Sequence, residues 1–345
     1  MPDAPQTNSL TISDAMERYL GTVERARSKA TMLAYKNALN VFRQMLLEKG
    51  LDPASTPLSQ FNEDYFAKFI DYLNHYTTAT EQLYLQAVKG FYLYLAAENI
   101  AEVNLARLIL LKRQRARRLG KNLPQYNMNE VKALLEKAKD VQNLMSTPAK
   151  EEDAENVRLR AYRDRAFLFT LAETGLRVHE ACSLRRGDID WNEGRAIIIG
   201  KGNKQAVIRF TSYVLQMLKE YLSQRAELDG ASGKPLSSLP LFARHDKGAG
   251  KKVKPMTTTT GRNIVRERVE QFLGKEMVGK ITPHTFRHYF VTSTLRGTGN
   301  LAIAQRLARH ENIQVTERYT HLTDEELDKA YYDVFEKDSK WKSKR

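Results

Sequence analysis

Residues 196–210 read AIIIGKGNKQAVIRF, with β-branched residues on both sides of a short tip from Gly200 to Lys204. Strand-forming runs joined by glycine, asparagine and lysine predict a hairpin with a tight, basic tip. Elsewhere the chain carries helical spacing. Upstream, Tyr162 to Glu173 has a buried-helix pattern that stops at Thr174 and Gly175, and Asn129 is placed to cap a helix carrying Val131, Leu134 and Leu135. Between them AKEEDAENVRLR, residues 149–160, is polar enough to be a loop or exposed insert. Downstream the pattern returns to helices around a Gly-, Lys- and Pro-rich loop from Gly230 to Pro255. The fold class is therefore mainly α with a small antiparallel β-hairpin or sheet.

The first hundred residues contain no convincing strand. Leu10 to Leu20 suits a short helix. Ser28 is placed to cap a second, in which Met32, Tyr35, Leu39, Phe42 and Leu46 recur at steps of three and four. The prolines of LDPASTP break the pattern before a third helix over Tyr65 to Leu73, and Thr80 is positioned to start a fourth with Leu83, Ala87, Phe91, Tyr92 and Leu95 on its apolar side. Together these predict a helical bundle. From Lys112 to Lys121 the run KRQRARRLGK has six basic residues and no acid, and reads as a linker. The expected division is a helical unit over 1–111, a basic linker over 112–126, a second unit over 127–322, and a terminal helix and tail over 323–345.

A chain of 345 residues exceeds the usual size of one domain, in keeping with two cores. Lysine and arginine number 55 against 41 acids, a formal charge of +14. Such a balance favours a polyanionic partner, nucleic acid before membrane. Cys182 is the single cysteine, so no intrachain disulfide is available, and no signal peptide or membrane-length apolar run is present. The expected location is cytoplasmic, with the nucleoid.

Three clusters carry possible chemistry. In TGLRVHEACSL, Gly175 can end one helix and Arg177 and Glu180 stand three apart at the start of the next; taken alone, this is an ordinary surface ion pair. The hairpin tip offers Lys201 and Lys204, amines able to enter a DNA groove. In HTFRHYFVTSTL, Pro283 suits a helix start, which puts His284 and Arg287 on one face while Phe286, Phe290, Val291 and Leu295 turn inward. LARHENIQVTERYTH follows. Zinc at His284, His288 and His310 is disfavoured, because no cysteine or carboxylate stands at ligand spacing and Arg287 would repel the cation. The chain has neither a nucleophile elbow nor a phosphate-binding Gly-Lys loop.

Taken together, TGLRVHE, GKGNK, HTFRH and a histidine nine residues before Tyr319 closely resemble the motifs of the tyrosine recombinases of the phage integrase and Xer type. The resemblance covers about residues 127–322, and the first unit agrees with that family's helical, SAM-like core-binding domain. It implies a metal- and ATP-free enzyme that needs no cofactor and acts as a tetramer on a specific site in double-stranded DNA. It further implies Tyr319 as nucleophile, Arg177, Arg287 and His310 on the phosphate, His284 as acid or base, and Lys201 as proton donor. Nominated DNA contacts are Thr31, Tyr35, Lys36, Lys89, Arg113, Arg115, Arg117, Arg118 and Lys204. One departure stands out. The family's usual Leu-Gly-His is replaced by Ala308, Arg309 and His310, which leaves the local backbone open. Beyond Tyr319, the stripe Leu327, Ala330, Tyr331, Val334 and Phe335 suits a helix docked on its own domain or on a neighbouring protomer. A type IB topoisomerase and a catalytically silent DNA-binding regulator are the alternative readings, with a metal-dependent nuclease behind them.

Overall fold

The computed structural model describes residues 10–117, 128–145, 154–199, 205–246, 248–250 and 252–309. The chain divides between Asn122 and Leu123 into two units. In the first, Thr11 caps helix α1 (Ile12–Ala26) in a capping box with Asp14. Ser28 accepts from the Thr31 amide and starts α2 (Lys29–Glu48), as its sequence context predicts. After the proline-rich break come α3 (Asp64–Tyr72) and α4 (Thr78–Ala97), the latter capped by Thr77, three residues ahead of the expected Thr80. Thr80 instead supplies the amide that the Thr77 hydroxyl receives. Phe42, Phe66, Phe69, Phe91 and Tyr92 are buried at the centre, with Phe42 and Phe69 edge to face at 4.9 Å.

The linker boundary needs correction. Residues 112–115 are the last turn of a fifth helix, α5 (Leu105–Arg115), capped by Asn104 and anchored by fully buried Leu108. Three basic residues in that turn complement the carbonyl end of the helix dipole. Arg117 is also tied down. Its Nε meets Glu81 Oε2 at 2.5 Å, its amide donates to Glu81 Oε1 at 2.9 Å, and Nη2 donates to the carbonyls of Tyr76 at 2.6 Å and Leu73 at 3.3 Å. Because the Glu81 side chain is only 1% exposed, Arg117 serves as its counter-charge. Arg117→Ala would leave a buried carboxylate short of its partner. We expect a loss of about 2 kcal/mol in urea unfolding; an unchanged midpoint would show that the backbone amide alone satisfies Glu81.

In the second unit, α6 (Met128–Ala138) begins one residue before Asn129, which lies inside the helix rather than at its cap. The expected polar insert is also partly helix, since α7 runs Ala154–Thr174 and includes residues 154–160. α7 is the central element, buried along most of its length and packed on α9 (Ser212–Gln224) and α12 (Pro283–Thr298). α8 (Val178–Ser183) leads to a three-stranded antiparallel sheet: β1 (Ile189–Asp190), β2 (Arg195–Ile199) and β3 (Gln205–Arg209). β2 and β3 form the expected hairpin, with Ala196 opposite Ile208 facing inward and Ile197 opposite Val207 facing out. β1 has no counterpart in the sequence reading.

The short α10 (Ala226–Gly230) follows α9, and a loop leads to α11 (Thr258–Leu273). Asp164 of α7 receives Arg163 and Arg268, each at 2.7 Å, which binds α11 to the central helix. Pro283 occupies the first turn of α12 as expected. α13 (Leu301–Ala308) closes the described part of the unit.

Candidate active site

The site is built on a turn. α7 stops at Thr174, and Gly175 reverses the chain with φ of +61°, a conformation that L-residues rarely adopt. A Cβ at Gly175 would lie 2.4 Å from Phe290 Cδ1, so the missing side chain is what lets α12 approach the turn. Gly175→Ala combines left-handed strain with overpacking, and should cost about 2–4 kcal/mol in thermal or urea unfolding of the full chain. A loss below about 1 kcal/mol would mean that Phe290 moves aside freely.

Leaving the turn, Arg177 is extended and caps α8. Its amide donates to Glu180 Oε2 at 2.8 Å and its Nη1 to Oε1 at 3.0 Å, so the buried carboxylate returns to the helix start and fixes the guanidinium. Arg287, on α12, is 2% exposed. Its Nη1 donates to the Gly175 carbonyl at 2.5 Å and its Nη2 to the Ala308 carbonyl, joining α12 to the turn and to the end of α13. Arg309 follows in the left-handed conformation, φ 59° and ψ 43°, which resolves the backbone at the residue that replaces the family's glycine. Its Nη2 reaches Glu180 Oε2 at 3.2 Å and the Gly175 carbonyl at 3.3 Å. Burial works to raise the Glu180 carboxyl, but Arg309 above all, then the Arg177 amide and side chain, hold it below the ordinary carboxylate value.

These groups face a cavity of about 500 Å³ between α8, α11 and α12. Arg177, Arg262, Arg266 and Arg287 line it together with His179 and His284, and no acid is in the lining. His284 stands at the pocket edge, edge-on to the His288 ring at 4.1 Å. Partial burial lowers its pKa, and Arg287 and Arg177 lower it further, so the ring is neutral at neutral pH. A permanently cationic hollow with a neutral imidazole at its rim suits a phosphodiester.

Of the expected catalytic residues, Arg177, His284 and Arg287 are brought onto this one pocket. Lys201, His310 and Tyr319 lie outside the described residues, as do Lys204, Arg118 and the stripe from Leu327 to Phe335. Arg262 and Arg266 were not singled out in the sequence. They stand four apart on α11, and two like charges one turn apart on a helix are mutually unfavourable unless an anion joins them. The nominated DNA contacts fare unevenly. Lys36 and Arg113 are exposed, while Thr31, Tyr35 and Lys89 are half-buried. Tyr35 packs beside Tyr19 at 6.4 Å, Arg115 pairs with Asp71 at 3.3 Å, and Arg117 belongs to the first unit's own ion pair. Cys182 donates to the Thr257 carbonyl, and burial pushes its thiol up to about 11. Among the described residues, no group of three or more His, Cys, Asp or Glu is placed to hold a metal ion, and no helix is long and apolar enough to cross a membrane.

Residues 135–326 match the model of the phage integrase family, and residues 16–99 match that of the phage integrase N-terminal SAM-like domain. The chain belongs to the phage integrase family. Its activity is that of a tyrosine recombinase, breaking and rejoining DNA strands through a phosphotyrosine. Similar proteins include the tyrosine recombinase XerC of Pediococcus pentosaceus, 27% identical over 92% of this chain and 96% of the relative. XerC of Staphylococcus saprophyticus is 29% identical over 91% and 93%. Among solved structures, the recombinase fold is shared with XerH bound to its difH substrate, with a TM-score of 0.63, 20% identity, and coverage of 93% of this chain and 84% of that one. The Tn1549 transposon integrase on transposon-end DNA gives a TM-score of 0.64 at 17% identity, covering 94% and 99%.

Proposed function

We propose that this recombinase binds a specific double-stranded site and cleaves it with Tyr319, the scissile phosphate held by Arg177, Arg287 and His310. The observation that carries this reading is the acid-free pocket, where two guanidiniums and the His284 ring converge while Glu180 stands behind Arg177. As phosphoryl transfer proceeds, charge grows on the nonbridging oxygens, and fixed guanidinium forks stabilise it without reorganising. The Tyr319 oxygen attacks phosphorus, giving a 3′-phosphotyrosine, and the departing 5′-oxygen takes a proton from Lys201. His284 serves as acid or base near the tyrosine. A 5′-hydroxyl from a second duplex reverses the step, exchanging strands while the ester conserves the broken bond.

Arg262 and Arg266 extend the cationic surface toward neighbouring phosphates, where each contact releases counterions. Lys36, Lys89, Arg113, Arg118 and Lys204 add to it. Exchange between two duplexes needs four protomers, so the working form is a tetramer on DNA, in the cytoplasm with the nucleoid. The helix carrying Leu327 and Phe335 joins neighbouring protomers.

The test is a nicked duplex bearing the recombination site, whose cleavage product diffuses away and traps the covalent complex. A DNA adduct on a peptide containing Tyr319 is expected. An adduct on another residue, or none in a chain that binds the site, would overturn the reading.

A further inference from the structure

Arg309 occupies a position whose backbone suits glycine. It is one of two non-glycine residues with positive φ among those described, and the left-handed region costs a side chain about 1–2 kcal/mol. That cost is compensated by what its side chain holds. Only 12% exposed, the guanidinium shares the Glu180 carboxylate with Arg177 and the Gly175 carbonyl with Arg287. Three guanidiniums thus converge on one buried carboxylate and one carbonyl, each drawn from a different segment: the α7–α8 turn, α12, and the end of α13.

We propose that Arg309 is a positioning residue for strand cleavage, holding Glu180 so that Arg177 keeps its aim and fastening the end of α13, one residue before His310, to the Arg177 turn. The inference rests on the assignment of Arg177 and His310 to the phosphate. Arg309 is too enclosed to be a phosphate ligand of its own. With a glycine here the chain would take the same turn without strain, and Glu180 would keep only the Arg177 contacts. The residue therefore exchanges local backbone comfort for a cross-link between two parts of the site. Its fork is the suitable shape, because a single nitrogen meets both acceptors at 3.2 and 3.3 Å while the rest of the planar group stays packed.

The experiment compares wild type, Arg309→Gly, Glu180→Gln and the double variant in single-turnover cleavage of the nicked duplex at saturating enzyme, alongside DNA affinity and melting temperature. Arg309→Gly relieves the backbone, so it should fold at least as stably as wild type. Its cleavage rate should fall about 10- to 100-fold while affinity changes less than about threefold, the pattern of lost aim. In the Glu180→Gln background the same substitution should add less than about threefold, since both act through one carboxylate. A wild-type rate in Arg309→Gly overturns the inference. So does a loss confined to affinity, which makes Arg309 a plain DNA contact, and so does full additivity with Glu180→Gln. Absence of an adduct in wild type fails the underlying assignment instead, which separates the two failures.

Discussion

Tyr319→Phe should bind the recombination site with the affinity of the parent chain and form no covalent adduct, even after long incubation on a nicked duplex. The substitution removes one oxygen and leaves the ring, so any contact through the phenyl face survives. What disappears is the only atom assigned to attack phosphorus. A free phenol has a pKa near 10, so roughly one molecule in a thousand is ionised at neutral pH. The cationic pocket lined by Arg177, Arg262, Arg266 and Arg287 favours the phenolate beside an incoming phosphate. No neighbouring group substitutes for it: His284 and His310 are assigned to proton transfer and phosphate binding. The expected loss is therefore complete within detection, at least about 10⁵-fold by the scale of enzymatic phosphoryl transfer. Gel separation of the DNA–protein adduct measures it directly. An adduct that persists in the Phe variant would place the nucleophile elsewhere.

Arg287→Lys is the second large effect. The charge is retained, so an electrostatic steering role would survive the change. In the structure, however, Arg287 is 2% exposed and spends two nitrogens on backbone carbonyls, those of Gly175 and Ala308. A guanidinium does this while keeping a charged plane at the pocket wall; an ammonium concentrates its charge at one point and cannot reproduce the fork. Losing that geometry frees the end of α13 from the Gly175 turn and withdraws a donor from the phosphate. Removal of one such donor in preorganised sites costs about 10²–10³ in rate, and loss of a transition-state arginine up to about 10⁵. We expect Arg287→Lys to cleave about 10³-fold more slowly at saturating enzyme, with site affinity reduced far less. Near-normal cleavage would show that charge alone is sufficient at this position.

Much of this was legible in the sequence, for identifiable reasons. The hairpin announced itself because β-branched residues flank a tip of turn-forming residues, and α12 because Pro283 precedes a run with His284 and Arg287 one turn apart. Spacing along one helix is local, and so is capping by Ser28. The failures were of two kinds. Helices α5 and the start of α7 are rich in charged residues, so they resembled linker and loop; buried Leu108, and the partners held in space by Arg117 and Asp164, decide them. β1 is two residues long, too short for alternation to show. In the site, Arg177 and Arg287 were found through motifs, but Arg262 and Arg266 required α11 to be set against α8 and α12. The role of Arg309 was invisible because its acceptors, Glu180 and the Gly175 carbonyl, lie far back along the chain.

The Arg117 anchor has a practical bearing on where the chain can be divided. A fragment ending at Leu111 would retain the aromatic centre of the first unit, yet it would cut α5 before its basic last turn and strand Glu81 in an apolar wall. Such a piece would be prone to fray at its new end and to take up a proton that the intact chain does not need. The first part of the basic run is thus a clasp that finishes the fold of the first unit, and only residues beyond Arg117 are available to act as a tether.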